Sequence, residues 1–320
     1  MMKAITQHRY GSYEALTCEE IPKPEPRAGE VLLRVAAAGV DPGQWHLMAG
    51  LPLAARLAFG PRAPRDKVRG RDVAGTVVGV GPGVTGLAEG DEVFGVADGS
   101  FAEYAVASAK LVVPRPASVS AEVAAATPTS GYTALRAIAK TSVGAGQRAL
   151  VIGAGGGIGT MLTQILAARG VSVTGVCSAS KLELVSSLGA DSVIDYRVDP
   201  LGSGYDVVFD IAGLRSLHDL RKLLTPAGTL VLIGGEDNGR WLGGATTRSM
   251  RANLMNIVTG HRLRPVLALA DRADLEQLGA LLAAGTLTPQ VERTFVLPAT
   301  AEALRLLMEG KARGKFVITP

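Results

Sequence analysis

Cysteine is nearly absent from this 320-residue chain: Cys18 and Cys177 are the only two, far apart and outside any CxxC pair. That excludes a disulfide framework and points to a reducing, cytoplasmic compartment. Aromatic residues are scarce too, at 4%, and the scattered arginines are not interleaved with them. The formal surplus of base is only +4, with a pI ≈ 9.1. That balance suits an anionic cofactor and not a specific nucleic-acid partner. Long hydrophobic runs are missing as well. The chain is 47% hydrophobic, yet no run nears the ~18 residues needed to cross a membrane. Met1–Tyr10 lacks the apolar stretch of a secretory signal, so neither membrane insertion nor export is expected. The length allows two domains, each with its own core.

Glycine, by contrast, is abundant, with 40 residues. The stretch Arg148-Ala-Leu-Val-Ile-Gly-Ala-Gly-Gly-Gly-Ile-Gly-Thr160 runs from an apolar strand through a glycine-rich turn into a helix beginning near Ile158. A dinucleotide pyrophosphate needs that geometry, because glycines let the backbone approach the phosphates and the helix start offers free N–H groups. The spacing Gly153-x-x-Gly156-x-x-Gly159 differs from the common G-x-G-x-x-G. Its context supports it, since strands Val171–Val176 and Ser192–Asp195 follow with a helix before each. NAD binders place a carboxylate at the end of the second strand. Here the segment is Cys177-Ser-Ala-Ser-Lys181, without an acid. Two hydroxyls and an ammonium there suit a 2′-phosphate, so NADPH is the expected cofactor.

Three parts are read from pattern. Residues 1–115 carry short β-branched runs between Gly and Pro signals (31–37, 73–80 and 91–96), a small β-barrel or sandwich. Residues 116–260 alternate strand and helix, which implies a parallel sheet. Its further strands are 206–210 and 229–233, and the helix 217–224 stops at Thr225-Pro-Ala-Gly228. Residues 261–320 hold helices 274–284 and 299–308 and strands 291–297 and 315–319.

Several separated motifs together resemble the medium-chain dehydrogenase/reductase superfamily, in its zinc-independent quinone oxidoreductase branch. They are Met2-Lys-Ala-Ile5, Ala38–Gly50, Gly70–Gly81, Gly90-Asp-Glu-Val-Phe-Gly95, Ser130-Gly-Tyr-Thr-Ala-Leu135, the glycine turn, Val176-Cys-Ser178, Leu188–Tyr196 and Lys311–Ile318. The resemblance implies an α/β protein: a GroES-like β-barrel catalytic domain, split between residues 1–115 and 261–320, plus a doubly wound Rossmann cofactor domain. It places the active site in the intervening cleft.

Zinc catalysis needs at least three N, O or S ligands with an open position. Where relatives carry the first ligand this chain has Asp41, and their Gly-His-Glu is Gly70-Arg71-Asp72. Asp41, His46 and Asp72 make a poor set, so no metal is expected. Without metal, an activated acceptor asks least of the protein. Hydride adds at the β-carbon of an enone or to a quinone, and a few hydrogen bonds stabilise the resulting oxyanion. The expected substrate is a small hydrophobic carbonyl compound or quinone.

The resemblance places Asp41, Gln44, Trp45, His46 and Tyr132 at the reacting end, with Asp41-Pro-Gly-Gln44 replacing the usual Asn-Pro-x-Asp. Barrel packing explains Trp45 and His46 equally well, and Ser130 and Thr133 suit a hydroxyl cap as well as a cofactor contact. Carried over as cofactor residues are Thr133 beside the reacting end, Gly155 in the glycine turn, Gly156, Gly157 and Ile158 at the pyrophosphate, and Ser178, Lys181 and Tyr196 at the adenosine phosphate. Ile233 and Gly234 fall near the nicotinamide ribose, and Arg313, Gly314 and Lys315 come from the C-terminal segment. The family's serine in the turn is Gly155 here. Segments 51–69 and 239–248 mix apolar residues with Arg and read as lids or subunit contacts. Two other readings stay open. One is a reductase of enoyl thioesters or ketones, with Arg62, Arg65, Lys67 and Arg69 as a basic groove. The other is a non-catalytic NADPH-binding sensor or RNA-associated protein. Relatives pair as homodimers through sheet edges, and Leu254–Thr259 reads as such an edge strand.

Overall fold

The computed structural model describes residues 1–234, 241, 243–258 and 260–320. In chain order the first part holds β1 (Met2–Gln7), β2 (Leu16–Ile21), β3 (Glu30–Val40), α1 (Gly43–Ala49) and α2 (Arg56–Phe59). β4 (Asp72–Val80), β5 (Glu92–Val96), β6 (Tyr104–Ser108) and β7 (Val112–Pro114) follow, then α3 (Ala121–Ala125) and α4 (Pro128–Ala139). Strand and helix then alternate through β8 (Arg148–Ile152), α5 (Gly157–Ala168), β9 (Ser172–Cys177), α6 (Leu182–Ser187) and β10 (Ser192–Asp195). Next come β11 (Tyr205–Asp210), α7 (Leu217–Arg221), β12 (Leu224–Leu232), α8 (Gly244–Val258) and β13 (Arg262–Pro265). The chain closes with α9 (Arg272–Ala283), β14 (Val291–Val296), α10 (Thr300–Met308) and β15 (Lys315–Thr319). Two compact units result: Met1–Tyr132 with Ala270–Pro320, and Thr133–Leu269.

The first unit has the GroES-like build. Its main sheet runs β14-β15-β3-β4-β5-β7, with β6 also on β3. The C-terminal strand β15 thus sits inside the sheet, parallel to β14 and antiparallel to β3. Along β3, Val31, Leu33 and Val35 turn into a core with Met48, Phe101 and Phe316, while Arg34 and Ala36 face out.

The second unit is a six-stranded, wholly parallel sheet in the order β10-β9-β8-β11-β12-β13. This is the doubly wound 3-2-1-4-5-6 order, whose switch point lies between the first and fourth strands. Those strands are β8 and β11, so the glycine turn leaves the sheet where such folds take ligands. Leu150, Val208, Leu230 and Leu263 are fully buried within it.

Two sequence expectations are corrected. The helix expected over 217–224 ends at Arg221, and Leu224 already pairs with Tyr205 in the sheet. Leu254–Val258 is the last part of α8 and not an edge strand; Thr259 lies outside the described residues. Its apolar residues follow a helical period, with Ala252 buried and Leu254 and Ile257 67% and 79% exposed. The edge is β13, which the Asn256 side chain clamps in place. Its Nδ2 donates to the Leu263 carbonyl at 2.9 Å, and Leu263 N–H donates to its Oδ1 at 2.7 Å.

Candidate functional site

In the second unit the turn after β8 is built to admit phosphate. Gly153 has φ +97°, and a Cβ on Gly159 would stand 2.2 Å from the Gly153 carbonyl oxygen, so glycine alone fits both. Gly156 is the N-cap of α5, with no side chain bonded across it and no acid in the first turn. The first N–H groups of a helix have no partner within it, so Gly157 and Ile158 present a ready anion site. A Cβ on Gly155 would meet Lys181 Cδ at 2.7 Å. The lysine stem lies across the turn, in the space a serine side chain would enter. Ser178 closes β9 and its Oγ lies 3.3 Å from Ser180 Oγ. Tyr196 follows the neighbouring β10 and is about half exposed. Sequence reasoning missed Arg197, whose guanidinium lies 5.6 Å from the Tyr196 ring. Ile233 and Gly234 both donate their N–H to the Asp210 carbonyl, and a Cβ on Gly234 would stand 1.9 Å from the Ile211 carbonyl oxygen. These residues fit a dinucleotide, with hydroxyls and a cation where a 2′-phosphate would lie.

A buried polar cluster occupies the first unit. Asp72 opens β4 with no exposed surface. Thr129 near the start of α4 donates its backbone N–H to both Asp72 oxygens, at 3.2 and 3.1 Å, and its hydroxyl to Oδ1. Tyr132, one turn on, donates its hydroxyl to Thr129 Oγ1 at 3.3 Å. Lys315 opens β15 with its Nζ 3.7 Å from Asp72 Oδ2, and it has no hydrogen-bond partner among the described residues. A carboxylate out of water is disfavoured. Burial, opposed by the Lys315 charge and helped by Asp41, pushes the Asp72 carboxyl up to about 6. Burial, and then the Asp72 charge, push the Tyr132 phenol up to about 12, so it stays a neutral donor.

That raised carboxyl gives a pH prediction. The fold binds its proton more tightly than the unfolded chain does, so its contribution is present below about pH 4 and is lost as pH rises through about 6. The slope is at most roughly 1.4 kcal/mol per pH unit. Asp72→Asn should flatten this part of the stability profile and match or exceed the native protein at pH 7. Melting temperatures of both proteins between pH 4 and pH 7 check it; parallel profiles would refute it.

The other expected residues fall out differently. Gln44 on α1 is buried, and its Oε1 accepts the Gly70 N–H at 3.1 Å. Asp41 Oδ1 accepts the Gly43 N–H at 2.8 Å, and its Oδ2 is buried with no hydrogen-bond partner among the described residues. Trp45 and His46 pack edge to face with ring centres 5.0 Å apart. Thr133 is buried on α4 and Ser130 is its third residue, so neither is an N-cap. Lys315 lies within the sheet and not at an edge. Arg313 is exposed, and Gly314, at φ +88°, could not carry a Cβ against the Gln290 carbonyl oxygen. Within 51–69, Tyr10 Oη donates to the Gly60 carbonyl at 2.6 Å, and Arg56 Nε donates to Gly50 O at 2.9 Å. These bonds tie that segment to Tyr10 and to the C-terminal end of α1. Arg62, Arg65 and Lys67 are exposed, but Arg69 is buried and leaves the expected basic groove. Of segment 239–248, residues 239, 240 and 242 lie outside the described residues. Its end starts α8, where Arg248 pairs with buried Asp210. Among the described residues no three His, Cys, Asp or Glu side chains gather as metal ligands. Sequence reasoning missed Thr129, flagged only by its place in the Thr-Pro-Thr helix start. It also passed over exposed Arg71, whose charge acts on Tyr132.

Comparison with known proteins agrees with this geometry. A family model described as alcohol dehydrogenase GroES-like domain matches residues 27–117, and one described as zinc-binding dehydrogenase matches residues 188–318. A chloroplast envelope quinone oxidoreductase homolog of Arabidopsis thaliana is 31% identical over all of this chain and 99% of its own length. An NADPH-dependent alkenal/one oxidoreductase of the same plant is also 31% identical, over all of this chain and 80% of its own. The structure of the quinone oxidoreductase from Coxiella burnetii superposes with a TM-score of 0.87 at 26% identity, covering 100% of this chain and 99% of that one.

Proposed function

This chain belongs to the medium-chain dehydrogenase/reductase superfamily, in its quinone oxidoreductase-like branch, and from that premise we propose that it is an NADPH-dependent, zinc-independent reductase of quinones or α,β-unsaturated carbonyl compounds. The observation that carries this reading is the Asp72–Thr129–Tyr132 chain of hydrogen bonds, found where zinc relatives keep a ligand beside their glutamate. When bound, NADPH supplies the hydride. Tyr132, held neutral by burial, would turn its one hydroxyl proton from Thr129 Oγ1 to the acceptor oxygen and stabilise the charge that develops there. Solvent water supplies the proton that completes the reduction once the hydride has been delivered, while Asp72 accepts from Thr129 and holds that residue in place. A quinone then leaves as hydroquinone, and an enone as an enol that tautomerises.

The enoyl-thioester reading keeps only Arg62, Arg65 and Lys67 as exposed cations. Loss of NADPH absorbance should therefore be seen with simple quinones and enones and be weak with enoyl thioesters. It should be unchanged after chelator treatment. Turnover of thioesters alone would favour the second reading, activity restored by zinc would refute the metal-free site, and turnover of nothing would favour a non-catalytic NADPH-binding protein.

The free thiols, Cys18 exposed and Cys177 buried, suit a reducing cytoplasmic setting. No helix among the described residues is long and apolar enough to cross a membrane. We infer a homodimer, formed by β13 edges with the exposed Leu254 and Ile257 of α8 alongside. Light scattering should give about twice 33.0 kDa, and Ile257→Lys should lower it; a monomer mass at micromolar concentration would reject the pairing.

A further inference from the structure

Buried arginine is expensive unless its charge is matched. Arg69, on the segment between β1 and the chain at 99–101, is 5% exposed. Its backbone is anchored on both sides: its N–H donates to the Ile5 carbonyl, and its carbonyl accepts the Phe101 N–H. Its guanidinium makes no ion pair and no hydrogen bond among the described residues, and Nε is a buried orphan. It lines a cavity of about 150 Å³ in the first unit, together with Gln44. Gln44 is 1% exposed, and its Nε2 is likewise buried without a partner. Ser100 Oγ, also unpartnered, stands 2.5 Å from where a Cβ on Gly70 would lie. Two residues with buried, unpartnered donors, one of them cationic, therefore line one small space that the proposed chemistry does not use.

We propose that this cavity binds a small monocarboxylate of formate or acetate size, held by Arg69 with Gln44 as a further donor. The planar guanidinium matches a carboxylate through two parallel N–H bonds. The volume is well below the roughly 300 Å³ at which sites for cofactors and larger ligands begin, so neither the nucleotide nor a quinone fits. Charge selects the ligand as well. The walls carry Arg69 and Arg71 but also Asp66 and Asp98, so one negative charge is welcome and the second charge of sulfate or phosphate is repelled. Asp66 eases the burial of Arg69 only partly, for desolvation still dominates and pulls the guanidinium below its ordinary value. Water would satisfy the hydrogen bonds but leave the charge uncompensated.

The test uses the full chain with sodium formate, sodium acetate and sodium sulfate at matched ionic strength. Formate and acetate should raise the native melting temperature along a saturating curve, by about 2–4 °C at tenfold excess over Kd, while sulfate should show no saturation. Arg69→Met should abolish the saturating rise and, lacking a buried charge, melt no lower than the native protein in the absence of carboxylate. On the native protein alone, the resonance of ¹³C-formate should broaden and recover its sharpness with excess acetate but not with sulfate. Equal shifts in native and Arg69→Met proteins would overturn the proposal. So would an unbroadened formate resonance, which decides the matter even if the variant fails to fold.

Discussion

Lys181→Glu should reverse the cofactor preference of this enzyme. The native protein should favour NADPH over NADH by about 1–3 kcal/mol in kcat/KM, the scale of one or two charge-assisted hydrogen bonds. Lys181 stands at the start of α6 with its stem across Gly155, and on the proposed reading its ammonium meets the 2′-phosphate. Lys181→Ala should erase most of the preference. Glutamate goes further, because a carboxylate there repels a 2′-phosphate and accepts bonds from a ribose. Steady-state kinetics with both cofactors check this. A native protein that uses NADH equally well, or an alanine variant with an unchanged ratio, would refute the reading of the pocket.

Gly159→Ala is expected to be nearly as damaging, and for a reason that one methyl group makes plain. The new Cβ would lie 2.2 Å from the Gly153 carbonyl oxygen and 2.6 Å from Ala154 Cα. Both are backbone atoms of the turn itself and cannot swing aside. Overpacking of this kind costs about 1–3 kcal/mol, occasionally more, and here the strain falls on the segment that would hold the pyrophosphate. The variant should melt lower and lose most of the rise in melting temperature that NADPH gives the native protein. Gly144→Ala, where a Cβ meets nothing within 4 Å, is the control and should behave as the native protein does. Equal responses to NADPH in both variants would mean that the turn does not hold the cofactor.

The sequence was most legible where local pattern decides structure. Strands Ser192–Asp195 and Lys315–Thr319 lie where their β-branched residues put them, and the glycine turn opens α5 one residue before the expected start. Legibility failed where burial arises from distant partners. Arg262-Leu-Arg-Pro265 is too polar to read as a strand, and it is one because β12 and Asn256 hold it. Leu254–Val258 looked like a strand because five residues cannot separate a period of two from one of 3.6. Nothing near Lys315 in sequence predicts Asp72. The pair exists only once β15 inserts beside β3. Thr129 has only its place in a Thr-Pro-Thr helix start to mark it, and Arg69 reads as one of a run of exposed bases until burial sets it apart.

The most direct measurement follows a label through the reaction. Chelator-treated protein would be given NADPH deuterated at C4 and a simple enone, and the product analysed by mass spectrometry and NMR. Reduction as proposed puts one deuterium on the β-carbon of a saturated ketone and a solvent proton on its α-carbon. A product alcohol with deuterium on the carbinol carbon, or no label transfer to enone or quinone under any condition, would contradict the account.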